Sequence, residues 1–157
     1  MNSPSKKKFK MLPSAGKVMC TIFWGRKGVI LLDFLEARQT INSDCYIVTL
    51  TKLRAQISRV RPEKKTIFLL QHDNARPHTV LKTVEHNVNL GWTVVPHPPH
   101  SLDLAPSDFH LSRQMKDGLR GQHFPSCDTI VRAVKQWATS AGADFTSAEC
   151  RLLFIAG

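Results

Sequence analysis

At 157 residues, 42% of them hydrophobic and 22% charged, the chain suits one domain with a real core, since a chain near this size buries roughly 70% of its unfolded surface. No apolar run approaches the roughly 20 residues of a membrane helix, and the basic stretch KKKFK is not followed by the apolar segment of a secretory signal. The net charge of +10 is uneven: residues 1–27 carry seven Lys or Arg and no acid, the remaining 130 carry fifteen basic and twelve acidic residues, and a basic tail on a nearly balanced body points to a polyanionic partner such as nucleic acid.

Residues 1–16 hold Ser, Pro, Lys and Gly with little periodicity, the composition of a flexible basic arm. Two short apolar runs follow, KVMCTIFW and GVILLDFL, separated by Gly25-Arg26-Lys27-Gly28, which predicts a hairpin. Their apolarity is continuous rather than alternating, as in a sheet covered on both faces. Residues 41–62 predict a helix: Tyr46, Leu50, Leu53, Ile57 and Val60 keep the spacing of one helical face, Asn42 or Ser43 can cap the start, and Pro62 ends it. TIFLLQHD predicts a central strand. PHTVLKTVEHNVNLG predicts a second helix with Val80, Val84 and Val88 on one face and Gly91 at its C-terminal end. WTVVPHP predicts a strand closed by prolines, and PHPPHSLDLAP an extended loop. Ser107 is placed to cap a helix from Asp108, closed by Gly121. A last helix is expected from Cys127 to Ala138, with Ile130, Val134 and Trp137 inward. The order of elements predicts an α/β fold with helices on a mixed sheet. Cys20, Cys45, Cys127 and Cys150 are scattered and read as reduced thiols of an intracellular protein.

Chemistry is sought first at Asp73, which ends an apolar run in HDNARPH. The bland reading is a strand end and a turn. The sharper one is a metal ligand, because ligands gather where strands of α/β sheets end. Asp108 stands 34 residues further on, room for a helix, a strand and a return loop that bring it back beside Asp73. Two such carboxylates can share Mg²⁺, a hard cation that takes carboxylate oxygens, water and phosphates. Paired ions of this kind serve phosphodiester chemistry. An acid in a first helical turn is also favoured by the helix dipole alone.

HDNARPH and GWTVVPHPPHSLDLAPSDFHL, with SAGKVM, GVILLDFL and TINSDCY ahead of them in order, resemble the catalytic domain of mariner/Tc1-type transposases. The resemblance runs from about Ser14 to Phe145, and the 34-residue gap between Asp73 and Asp108 is that of the mariner branch. It implies an RNase H-like fold, DNA as partner, cut-and-paste transposition, and Mg²⁺ (or Mn²⁺) held by three Asp residues. Asp73 matches the second and Asp108 the third; Asp103 belongs to the same loop motif but is not one of the three. The first falls on Gly25 in IFWGRKG, which has no ligand atom, so a weakened site and a nearly silent nuclease are expected. Asp33, on the second strand, has its own place in the pattern.

The resemblance further implies a nuclear protein, a homodimer as in relatives, and a catalytic domain over 17–145 without the helix-turn-helix modules that read transposon ends. The tail 146–157 departs from the pattern. Lys6, Lys7, Lys8, Lys10 and Arg76 are expected to meet DNA, and His78 and His97 either to meet phosphates or to cap and pack locally. Trp24 and Trp92 are expected in the core, and His72 either beside the site or simply buried. The competing expectation is a DNA-binding or interaction module that has kept the domain only as a scaffold.

Overall fold

The computed structural model describes residues 18–25, 28–35, 39–60, 68–96 and 111–141, and the backbone of 152–156. The hairpin forms as its sequence predicts. Strand β1 (Cys20–Gly25) pairs antiparallel with β2 (Gly28–Phe34). Gly28 takes φ 104° at the turn, a value L side chains rarely adopt. The register slips between Phe23 and Trp24, a bulge that adds local twist.

Side chains of β1 alternate between two cores. Phe23 points to one face, among Tyr46, Leu50, Leu53, Ile57, Leu70 and Trp92. Ile22 and Trp24 point to the other, with Leu111 and the partly buried Met115 and Trp137. Helices therefore cover both faces, the arrangement that the unbroken apolar runs require.

Helix α1 (Ser43–Val60) makes the first face. Asn42 caps it by accepting the Cys45 N–H at 2.8 Å, which satisfies one of the donors a helix start leaves open. Tyr46, Leu50, Leu53 and Ile57 are buried as their spacing predicts, but Val60, the last residue of the helix, is 57% exposed. Each fully buried side chain of this row contributes roughly 1.5–3 kcal/mol.

After β3 (Phe68–Gln71) the single helix expected over 77–91 is instead two: α2 (Arg76–Thr79) and α3 (Leu81–Asn89). Val80 breaks them with extended backbone, ψ 146°, and Thr83 Oγ1 ties them by donating to the Pro77 carbonyl at 2.7 Å. The break resets the helical phase. Thr83 and Asn87 turn inward, while Val84 and Val88, expected on the buried face, are 43% and 68% exposed. Gly91 closes α3 with φ 72° and leads into β4 (Trp92–Val94), parallel to β3.

The second face is α4 (Ser112–Leu119) and α5 (Cys127–Ser140). Ser126 caps α5 reciprocally with Thr129. Residues 97–110, which include the expected start of α4 at Asp108, lie outside the described residues. Strand β5 (Leu152–Ala156) comes from the tail that departs from the expected pattern. It occupies the middle of the five-stranded sheet, whose order is β2-β1-β5-β3-β4. It runs antiparallel to β1 and parallel to β3. No described helix is long and apolar enough to cross a membrane.

Candidate functional site

Asp73 lies two residues beyond the end of β3, where the chain turns into α2. Its Oδ1 accepts the Ala75 N–H at 3.0 Å, an Asx turn that starts the helix. The same oxygen lies 2.7 Å from His78 Nδ1. An ionised carboxylate only accepts, so Nδ1 carries the proton. Asp73 stays two-thirds exposed, whereas the His78 side chain is 11% exposed, held against the Tyr46 ring at 4.2 Å and the His72 ring at 4.8 Å. His72 is itself buried, with Nδ1 3.4 Å from Tyr46 Oη. Helix α1 thus supplies the wall on which the two imidazoles rest.

The hydrogen bond from His78 holds the Asp73 carboxyl down, from the usual 3.8 to about 2; partial burial opposes this, and Ala75 N–H and the charge of the two histidines add to it. Burial first, then the Asp73 charge, pushes the Tyr46 hydroxyl well above its ordinary range. Tyr46 is accordingly a neutral packing surface at physiological pH.

The carboxylate suits a hard cation: it is ionised, exposed, fixed by two contacts on Oδ1, and has Oδ2 without a hydrogen bond among the described residues. It is one ligand only. No group of three His, Cys, Asp or Glu residues converges among the described residues, and Asp108, Asp103, His97, Lys6, Lys7, Lys8 and Lys10 all lie outside them. Arg76, exposed and three residues past Asp73, has no ion-pair partner among the described residues. Trp24 and Trp92 are buried in the two cores, as expected.

Position 25 is separated from Asp73 by more than its missing side chain. Trp24 and Gln71 both pair with Phe154, one on each side of β5. Two strand spacings set them about 10 Å apart. Because β1 and β3 run in opposite directions, the chain leaves that row toward Gly25 one way and toward Asp73 the other. Asp33 is committed elsewhere. Its Oδ2 accepts Thr49 Oγ1 and its Oδ1 accepts Lys52 Nζ at 2.8 Å, and its backbone pairs with Thr21, four residues back along β1 from Gly25.

Reading the sequence did not assign His78 as the partner of Asp73, although five-residue spacing across an Ala-Arg-Pro turn was the available signal. It also passed over Arg113, Lys116 and Arg120, whose spacing puts three cations on one side of α4.

A family model described as "Transposase (partial DDE domain)" matches residues 1–67. The Mos1 mariner transposase of Drosophila mauritiana is 34% identical over 134 residues, covering 82% of this chain and 38% of that protein. The human histone-lysine N-methyltransferase SETMAR is 34% identical over 132 residues, covering 82% of this chain and 19% of that protein. The chain thus spans about two fifths and one fifth of these curated relatives. A solved structure of the Mos1 transposase catalytic domain with raltegravir and manganese is 31% identical, with a TM-score of 0.79, covering 87% of this chain and 70% of that one.

Proposed function

The chain belongs to the mariner transposase family, with an RNase H-like fold, and on that footing we propose that it is the strand-cleaving and strand-joining unit of a DNA transposase, with a carboxylate site impaired in this copy. The observation that carries the reading is the Asp73 carboxylate, ionised and aimed by Ala75 and His78 where β3 ends. Manganese in the structure of the solved relative supports a divalent cation here. Asp73 and Asp108 would hold it, and when bound it supplies Lewis-acid polarisation of phosphate oxygens.

The protein's own groups do the rest. His78 and Ala75 fix one carboxylate oxygen so that the other points outward. Tyr46 and His72 keep the His78 ring from turning away. Arg76, beside Asp73, offers a fork of donors to the DNA phosphate. Impairment follows from the lack of further carboxylates converging on Asp73 among the described residues: Gly25 contributes no oxygen, and β5 sets position 25 two strands away. Catalysis of this kind depends on placement, and a misplacement of about 1 Å can cost 10²-fold. The reading assigns the chain to the nucleus, where its substrate is.

The test is metal-dependent cleavage of labelled mariner-end DNA in Mn²⁺, with Asp73→Ala as the reference. Cleavage near background in both, with Mn²⁺ binding by calorimetry weak in the parent and lost in Asp73→Ala, is the expected result. Fast cleavage abolished by Asp73→Ala would overturn the impairment. Equal Mn²⁺ binding by both proteins would instead favour a nucleic-acid-binding module that works without the metal.

A further inference from the structure

We propose that the outward side of α4 is a seat for the sugar–phosphate backbone of duplex DNA, an inference that rests on the transposase reading and deepens it. Arg113 and Lys116 stand on this helix three residues apart, and Arg120 follows at its C-terminal cap. With Asp117 they line an open groove of about 420 Å³. The opposite side of α4 is committed to the sheet through Met115, beside Leu111, so the cations face solvent. The groove carries three positive charges against one negative.

Three cations of α1 and α3 are occupied. Lys52 is bound to Asp33, Lys82 to Asp44, and Arg54 to the Leu90 carbonyl. Arg113 and Lys116 have no ion-pair partner among the described residues. Arg120 contacts Asp117 at 3.0 Å, but both are exposed; such pairs are weak and salt-screened, so phosphate can displace the carboxylate. Seven residues of helix span about 10 Å, the rise of about three base steps along the duplex axis at about 3.4 Å each. The helix also starts four residues after Asp108 in the sequence. Arg and Lys contacts to phosphate carry no sequence information, so this seat orients DNA without selecting it.

The experiment measures fluorescence anisotropy of a labelled duplex against the full chain across a KCl series. The variant Arg113→Ala/Lys116→Ala/Arg120→Ala is compared with a charge-matched control, Lys52→Ala/Arg59→Ala/Lys82→Ala. Each lost phosphate contact removes about 0.9 from the slope of log K against log salt, so the α4 variant is expected to be about 2.7 less steep and the control to change by less than about 1. A single reversal, Lys116→Glu, is expected to weaken binding more than Lys82→Glu. The substituted α4 side chains are mostly exposed and alanine favours helix, so thermal transitions by circular dichroism should persist. An unchanged slope in the α4 variant, an equal change in the control, or an effect confined to duplex RNA or anionic vesicles would overturn the seat while leaving the transposase reading intact. No DNA binding by the parent chain would overturn that reading itself.

Discussion

The two faces of the sheet are built differently. On the α1 face, Tyr46, Leu50 and Leu53 are fully buried against Phe23 and Leu70, and the nearby cations Lys52, Lys82 and Arg54 are each tied to an acid or a carbonyl. On the α4–α5 face the core is smaller, Val134 is the single buried residue of the two helices, and the cations of α4 are turned outward. One face spends its charges on holding the fold together, and it also carries the wall that steadies His78 and Asp73. The other leaves its charges for a partner. The paired cations of α1 and α3 and the cations of α4, unpaired among the described residues, thus lie on opposite sides of the same strands.

The largest expected effect comes from the strand the faces share. Deleting residues 151–157 leaves β1 and β3 without their common neighbour, and thermal unfolding followed by circular dichroism should lose its cooperative transition. A transition that survives would mean that each face is stable by itself, and would break the comparison. Next, Leu53→Ala removes a side chain with no exposed surface and is expected to cost about 3 kcal/mol, against about 1.5 kcal/mol for Val134→Ala. Urea midpoints for the two variants test this directly, and equal losses would contradict it.

A smaller effect is expected at Gly118 on α4. A Cβ there would lie 2.6 Å from Trp137 Cδ1. Gly118→Ala gains up to about 1 kcal/mol of helix propensity, but displacing the indole costs about 1–3 kcal/mol. A net loss near 1 kcal/mol with a shift in tryptophan emission is the predicted outcome; a stabilised protein with unchanged emission would refute it.

The smallest effect concerns pH. Asp73 titrates at about 2 rather than 3.8. A carboxyl held down in the folded state contributes stability that is present above its unfolded value and lost as pH falls through the folded one, so the window lies between about pH 4 and pH 2. In His78→Ala the Asp73 midpoint, followed by carboxyl ¹³C NMR, should rise toward the usual 3.8, and stability should vary less across that window. A midpoint left near 2 would show that His78 is not the main cause.

Much of the fold was legible because it rests on local patterns. The hairpin has glycines at its turn and apolar runs on either side. Helix α1 keeps its face from Tyr46 to Ile57 and its cap at Asn42. The break at Val80 was not legible: valine there continues the spacing of a helical stripe, and only the contact between Thr83 and Pro77 reveals the new phase. Strand β5 was missed for another reason. Its apolar run LLFIA has strand length, but pairing it between β1 and β3 depends on contacts far along the chain, which no local spacing encodes. At the site, Asp73 could be singled out from its place at a strand end, whereas its partner His78 depended on how tightly the following turn closes.

Strand β5 also sets the order in which the molecule can be assembled. Ile22 pairs with Ala156, so the sheet closes only after residue 156 has left the ribosome. Until then the edges of β1 and β3 offer unpaired amides to any passing strand. Pairings this distant in sequence form slowly, and a nascent chain of this kind would gain from a chaperone that shields both edges during synthesis.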